Sequence, residues 1–245
     1  MKNLCLITIL LSTLPVASFA QTYNTYNTGQ TNHPQPLSED FKGVLGAGVE
    51  YAPEYMGSDN GEAKFVPTVD LQYKKVFATM NSPLNMAREG LGYNFLENDT
   101  WSIGPSVVLD QGRDAQGYIK GIGDLEPTAM AGGFVEGRMG KLFARGQLHT
   151  DIMGENDGTR ADLKAGVRGQ LSERVQASAM LETNYGTDNY NDSYFGVSPA
   201  QAAASTNAIK AYNADAGFYK AGLKGQVSYY ITPQVYVQEI GRAHV

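Results

Sequence analysis

The sequence predicts an all-β fold: a transmembrane antiparallel up-and-down β-barrel, natively of about twelve strands, with the last strand or strands missing from this chain. Three observations predict it. First, apolar and polar residues alternate with period two through most of the chain, as strands with two unlike faces require. Second, the connections between the alternating runs are short, then long, then short again. That parity belongs to barrels with tight periplasmic turns and long outer loops. Third, the chain carries 28 Gly and 15 Tyr in 245 residues, with 18% charged residues. After the first twenty residues it holds no apolar run of the roughly 20 residues that a membrane helix needs.

The elements follow in order. Residues 1–20 read as a cleaved signal peptide: Lys2 supplies the positive start, Leu4 to Leu14 the apolar run, and Ser18-Phe19-Ala20 the small residues before the cut. Residues 21–41 are polar and read as a flexible leader. The barrel domain is expected over 42–238. Its strands are expected at 42–51, 64–73, 76–81, 89–96, 100–110, 128–139, 141–151, 160–171, 175–185 and 217–231, with another starting at 234. Ala161, Leu163, Ala165 and Val167 alternate with Asp162, Lys164, Gly166 and Arg168; Leu142, Ala144 and Leu148 alternate with Phe143, Arg145, Gln147 and His149. Several strands run about 10–12 residues, near the roughly 9–11 that cross a bilayer at a tilt. Ser198 to Ser205 is expected to make a short helical turn in the longest loop, 186–216. The last seven residues, 239–245, resemble the translation of a sequencing adapter and are expected to be a non-native tail. An even strand number then implies a final strand outside this chain.

Composition narrows the function. A formal charge of −6 and a pI near 5.1 argue against a nucleic-acid partner. The only cysteine, Cys5, falls in the signal segment, so the mature chain is expected to hold no disulfide, thiol nucleophile or cysteine metal site. The three histidines are His33, His149 and His244, too few and too scattered for a zinc site.

Several strings carry a family resemblance. The most specific is Tyr194-Phe195-Gly196-Val197-Ser198-Pro199, within Ser193 to Ala202. Others are Tyr51-Ala52-Pro53-Glu54-Tyr55 with Gly57-Ser58-Asp59, Gly90-Leu91-Gly92-Tyr93-Asn94, Gly112-Arg113-Asp114, Gly121-Ile122-Gly123-Asp124 and Ala131-Gly132-Gly133-Phe134. In this order, from about residue 43 to 238, they resemble the MipA/OmpV family (MltA-interacting protein and relatives). The resemblance implies an outer-membrane barrel of a Gram-negative bacterium, in contact with outer-membrane lipid and without a cofactor. It implies a non-enzymatic scaffold that brings a lytic transglycosylase to a peptidoglycan synthase, with no catalytic residues to carry over. A pore, a small-molecule uptake channel or an adhesin is the alternative.

The candidate site is a polar lumen cluster. Glu136, Arg138, Arg145, Lys164, Arg168 and Glu182, with Asp162, share the inward parity if the apolar set faces lipid. Such charges form either a selective water-filled pore or a network that plugs a narrow barrel, and the plug is the favoured expectation. His149 and Asp151 lie two apart on one strand and could act as an acid–base pair in a lipid hydrolase. No Gly-x-Ser-x-Gly elbow accompanies them, so a hydrogen-bonded polar lumen is expected instead. Asp110, Asp114, Asp124 and Glu126, and the group Asp151, Glu155, Asn156 and Asp157, are read as solvated acidic loops rather than Ca²⁺ sites. Tyr185, Tyr190, Tyr194, Phe195 and Tyr212 bring aromatics to the longest loop, for partner recognition or for loop packing.

Overall fold

The computed structural model describes residues 6–10, 40–53, 61–82, 85–115, 119–205, 207–231 and 236–244. The strands are β1 (Leu6–Leu10), β2 (Phe41–Pro53), β3 (Gly61–Tyr73), β4 (Val76–Met80), β5 (Gly90–Tyr93), β6 (Leu96–Glu97), β7 (Trp101–Asp110), β8 (Thr128–Met139), β9 (Leu142–Asp151), β10 (Thr159–Ser172), β11 (Val175–Gly186), β12 (Gly217–Tyr230) and β13 (Tyr236–His244). Two helices, α1 (Asp188–Phe195) and α2 (Pro199–Ala204), lie between β11 and β12.

From β2 to β13 the sheet is an antiparallel meander, with each strand paired to its neighbours in sequence and β6 appended to β7. The all-β, up-and-down expectation holds. The meander's free edge at β13 is taken by β1, which pairs antiparallel with it from Leu6↔Arg242 to Leu10↔Gln238. β1 also lies alongside β2, and among the described residues no ladder joins those two strands. The apolar run expected as part of a signal peptide thus forms an edge strand here, and β13 runs through most of the expected tail, to His244. Most of the expected leader, 21–39, lies outside the described residues.

Among the described residues loop parity is as the sequence reads; the long connection expected at 52–63 and the turn expected at 232–233 lie largely outside them. Turns at 74–75, 98–100, 140–141 and 173–174 alternate with long connections at 81–89, 111–127, 152–158 and 187–216. Gly140 turns with φ +60°, a backbone region that favours glycine. β10 and β12 each hold 14 residues. At about 3.3 Å per residue and a tilt near 45°, such a strand rises roughly 30 Å, enough for the apolar band of an outer-membrane barrel.

The expected strand at 89–96 is broken. Asn94 turns inward, is fully buried and accepts a hydrogen bond from Ser102 Oγ at 2.8 Å, while its N–H bonds the Lys75 carbonyl. Gly104 lies directly under the Tyr93 carbonyl, where any Cβ would collide. These contacts take Asn94 and Phe95 off the ladder and leave β5 and β6 as two short pieces.

The two faces of the sheet have inverted polarity. Leu181, Leu163 and Leu223 are 64%, 56% and 51% exposed on the outside. Glu136, Asp162 and Arg145 are 1%, 1% and 2% exposed on the inside. A sheet in water buries its apolar face; here the apolar face points out and the charged face is covered, as in a barrel set in lipid. Exposed aromatics mark both ends of the outer face. Tyr73, Tyr93, Phe95, Trp101 and Tyr229 ring the tight-turn end. Tyr185 and Phe218, edge-to-face at 5.4 Å, stand near the long-loop end. Aromatic girdles at both membrane interfaces have this form.

Candidate functional site: a filled interior under a lid

Strand register assembles the interior. In the β8–β9–β10–β11 ladder, Glu136 lies opposite Arg145, Arg145 opposite Lys164, and Lys164 opposite Glu182. Four of the sequence-named residues thus form one row. The next row holds Phe134, Gln147, Asp162 and Asn184; the one above holds Gly132, His149 and Arg160.

Arg145 Nη1 contacts Glu136 Oε2 at 3.1 Å, and Arg138 approaches the same carboxylate at 3.5 Å. The Arg145 guanidinium lies 3.9 Å from the Phe134 ring centre, and its Nε donates to Gln147 Oε1 at 3.1 Å. Glu182 is paired separately, with Lys220 at 2.7 Å. Arg168 lies lower and stacks over Phe143 at 5.5 Å. The sequence-named charges therefore fall into one central network, with two satellites.

The network has a centre that sequence reading missed. Asn85–Glu89, in the long connection between β4 and β5, folds inward across the interior. Asn85, Met86, Ala87 and Arg88 are all buried. Met86 and Ala87 pack against Phe143 and Met180. The Arg88 guanidinium sits 4.5 Å from the Phe77 ring centre and donates to Gln72 at 3.1 Å. The inward Gly92 is what makes room for the Phe77 ring, which a Cβ there would strike. At the end of the segment, the Glu89 carboxylate accepts from Gln147 Nε2 at 2.7 Å, Arg160 Nη2 at 3.1 Å and Lys164 Nζ at 3.2 Å. Arg160 also pairs with Asp110 at 3.0 Å and Asp162 at 3.3 Å. Arg160 shares the parity of Asp162 and Lys164, so alternation could have found it. Glu89 follows no period.

His149 does not meet Asp151. Its Nε2 lies 2.8 Å from Ser106 Oγ, a pairing set by the register 106–132–149 across two ladders. Its Nδ1 is buried without a hydrogen-bond partner. The Asp151 carboxylate is occupied elsewhere: it takes the Thr128 hydroxyl at 2.6 Å and the N–H groups of Met153, Asn156 and Asp157 at 2.8–3.1 Å. Its role is to cap the 152–158 loop. Ser106 and His149 form a hydroxyl–imidazole pair without the orienting acid that nucleophilic catalysis uses.

A lid covers the long-loop end. Its helix α1, Asp-Asn-Tyr-Asn-Asp-Ser-Tyr-Phe, is poor in helix formers and has no side-chain N-cap, which is why the sequence gives no helix signal there. Docking holds it. Tyr190 is buried, stacks on Tyr194 at 4.8 Å, and donates to Asp110 at 2.9 Å. Burial beside the Asp110 carboxylate outweighs the nearby Arg160 charge and raises the Tyr190 phenol to about 12. Tyr194 also donates to Asp110. Gly158 abuts the Tyr190 backbone, where a Cβ would fall 2.5 Å from its Cα. The family-motif run Tyr194 to Pro199 links α1 to α2, whose Ser198 and Gln201 form a capping box. Arg113, from the 111–127 loop, donates to the Tyr194 and Ser193 carbonyls, and burial lowers its pKa from the usual value. Val197 pairs with Tyr212 in an isolated bridge.

The acidic loop residues do not converge. Asp124 accepts from the Ala115 N–H at 2.8 Å, and among the described residues no group of three or more His, Cys, Asp or Glu side chains is placed to hold a metal.

No curated protein matches this chain. Residues 45–244 match the family described as MltA-interacting protein MipA. That match covers most of the chain and nearly all of the meander, so the protein belongs to the MipA family.

Proposed function

We propose that this protein is an outer-membrane barrel that works without catalysis, as a scaffold for peptidoglycan-remodelling enzymes. The observation that carries the reading is the filled interior. Asn85–Glu89 crosses it, ion pairs bind that segment to the far wall, and α1 lies over the long-loop end. A barrel closed in this way offers partners its rims rather than its lumen. The family description, an MltA-interacting protein, supports a lytic transglycosylase as one partner; a peptidoglycan synthase is the second partner of the proposed scaffold. The signal peptide read at 1–20 provides export to the envelope, and its cleavage removes β1 from the β13 edge. The tight turns then face the periplasm, where exposed Lys74, Lys75, Glu97, Asp99, Lys141, Glu173 and Arg174 form a rim of mixed charge suited to a reversible polar contact.

The experiment is co-purification of the tagged protein from detergent-solubilised envelopes with a lytic transglycosylase. Retention that falls when Lys74 and Lys75 are both reversed to Glu is the expected result. Absence of retention above a tagged, unrelated barrel would overturn the scaffold reading. A second reading, a gated channel, is favoured by one observation: Glu89, the residue that fastens the internal segment, remains 36% exposed at its side chain.

A further inference from the structure

The three donors around Glu89 form a built carboxylate site, and Glu89 is its tethered occupant. Gln147 and Lys164 are 5% and 7% exposed, and the Arg160 side chain is 14% exposed. All three come from the paired strands β9 and β10. They converge on one carboxylate, with Gln147 and Arg160 on Oε1 and Lys164 on Oε2. Gln147 is itself held by Arg145 Nε at 3.1 Å and by Asp162 at 2.8 Å, so the amide that meets the ligand is oriented from behind.

The occupant differs from its cradle. Glu89 comes from a connection rather than a strand, and it is the most accessible member of the cluster. Lys164 has a second bond, to the Ala87 carbonyl at 3.5 Å, again on the crossing segment. Withdrawal of that segment would leave a buried ammonium beside a guanidinium and an oriented amide. Arg160 keeps Asp110 and Asp162, but Lys164 loses the Glu89 carboxylate, and a buried ammonium stripped of its partner favours an incoming anion.

The geometry points to a binding site for small free carboxylates at Gln147, Arg160 and Lys164. Glu89 occupies it in the resting state and thereby latches Asn85–Glu89 across the interior. A carboxylate that enters the interior competes with Glu89 for the same three donors and releases the latch. The inference deepens the gated-channel reading, on which its conductance arm rests; the acetate-binding arm tests the site by itself.

The test uses the full chain, refolded in detergent micelles, with acetate as the probe. Glu89→Ala empties the site and is expected to bind acetate at least about tenfold more tightly than wild type. Adding Lys164→Met to it should abolish the gain, and inorganic phosphate, whose second charge Asp110 and Asp162 repel, should bind Glu89→Ala more weakly than acetate. A heat-dependent gel shift verifies that each variant is folded. The inference is overturned if folded Glu89→Ala shows no saturable acetate binding, if Lys164→Met leaves that binding unchanged, or if phosphate binds as well as acetate. Wild type supplies a second arm that needs no variant. Its conductance in planar bilayers should rise when acetate replaces chloride at equal ionic strength, and a conductance indifferent to the exchange would contradict the latch.

Discussion

Leu181→Arg should destabilise the folded protein by about 2–4 kcal/mol in lipid vesicles, the cost of an arginine on the lipid face near the bilayer midplane. Leu181 stands near the middle of β11, points outward, and is 64% exposed. Its ladder neighbours Ala165 and Leu223 continue the apolar band. If the outer face met water, an exposed leucine could become arginine at a cost within about 0.5 kcal/mol. Urea unfolding of the vesicle-inserted protein, followed by tryptophan fluorescence from Trp101, separates the two cases. Glu173→Arg, in an exposed turn, is the control and should stay near neutral.

Glu136→Ala should cost about 3–5 kcal/mol, the usual penalty for breaking a buried ion pair from one side. Removing that carboxylate takes the partner of Nη1 from Arg145, whose side chain is fully buried and whose Nη2 already lacks a hydrogen-bond partner, and leaves it the Nε–Gln147 bond. The aromatic faces of Phe134 and Phe77 remain, but they offset only a part of a guanidinium charge. The sign of the double change is the sharper point. Glu136→Leu with Arg145→Met removes both charges together and should recover most of the loss. The same vesicle-unfolding measurement checks both variants. A Glu136→Ala protein as stable as wild type would mean that the interior is wet enough to screen the pair.

Much of the fold was legible because the strand period acts locally. Alternation at 160–171 places Asp162, Lys164 and Arg168 on one face whatever the neighbours are, and loop lengths order the strands. The split at Asn94 was not legible, since it depends on Ser102 and Gly104 approaching from the next strand. Of the interior, parity gave the sides but not the partners. Ser106 meets His149 through two successive ladder registers, which no single segment encodes. Asn85–Glu89 was opaque for a different reason. It has no period, and only the packing of Met86 on Phe143 and Met180 shows that it turns inward. The helix α1 is held by tertiary contacts of Tyr190 and Asn191 rather than by helix propensity, whereas α2 announced itself through Ser198, Pro199 and Gln201.

The apolar face of this sheet is set toward lipid, and the charged face lines a filled interior. Membrane fractionation of the expressed protein, with heated and unheated samples compared by gel electrophoresis, tests this claim most directly. Recovery with the outer membrane, and faster migration of the unheated sample, is the expected result. Recovery as a soluble periplasmic protein whose mobility ignores heating would contradict the claim and assign the exposed leucines to a face that meets water.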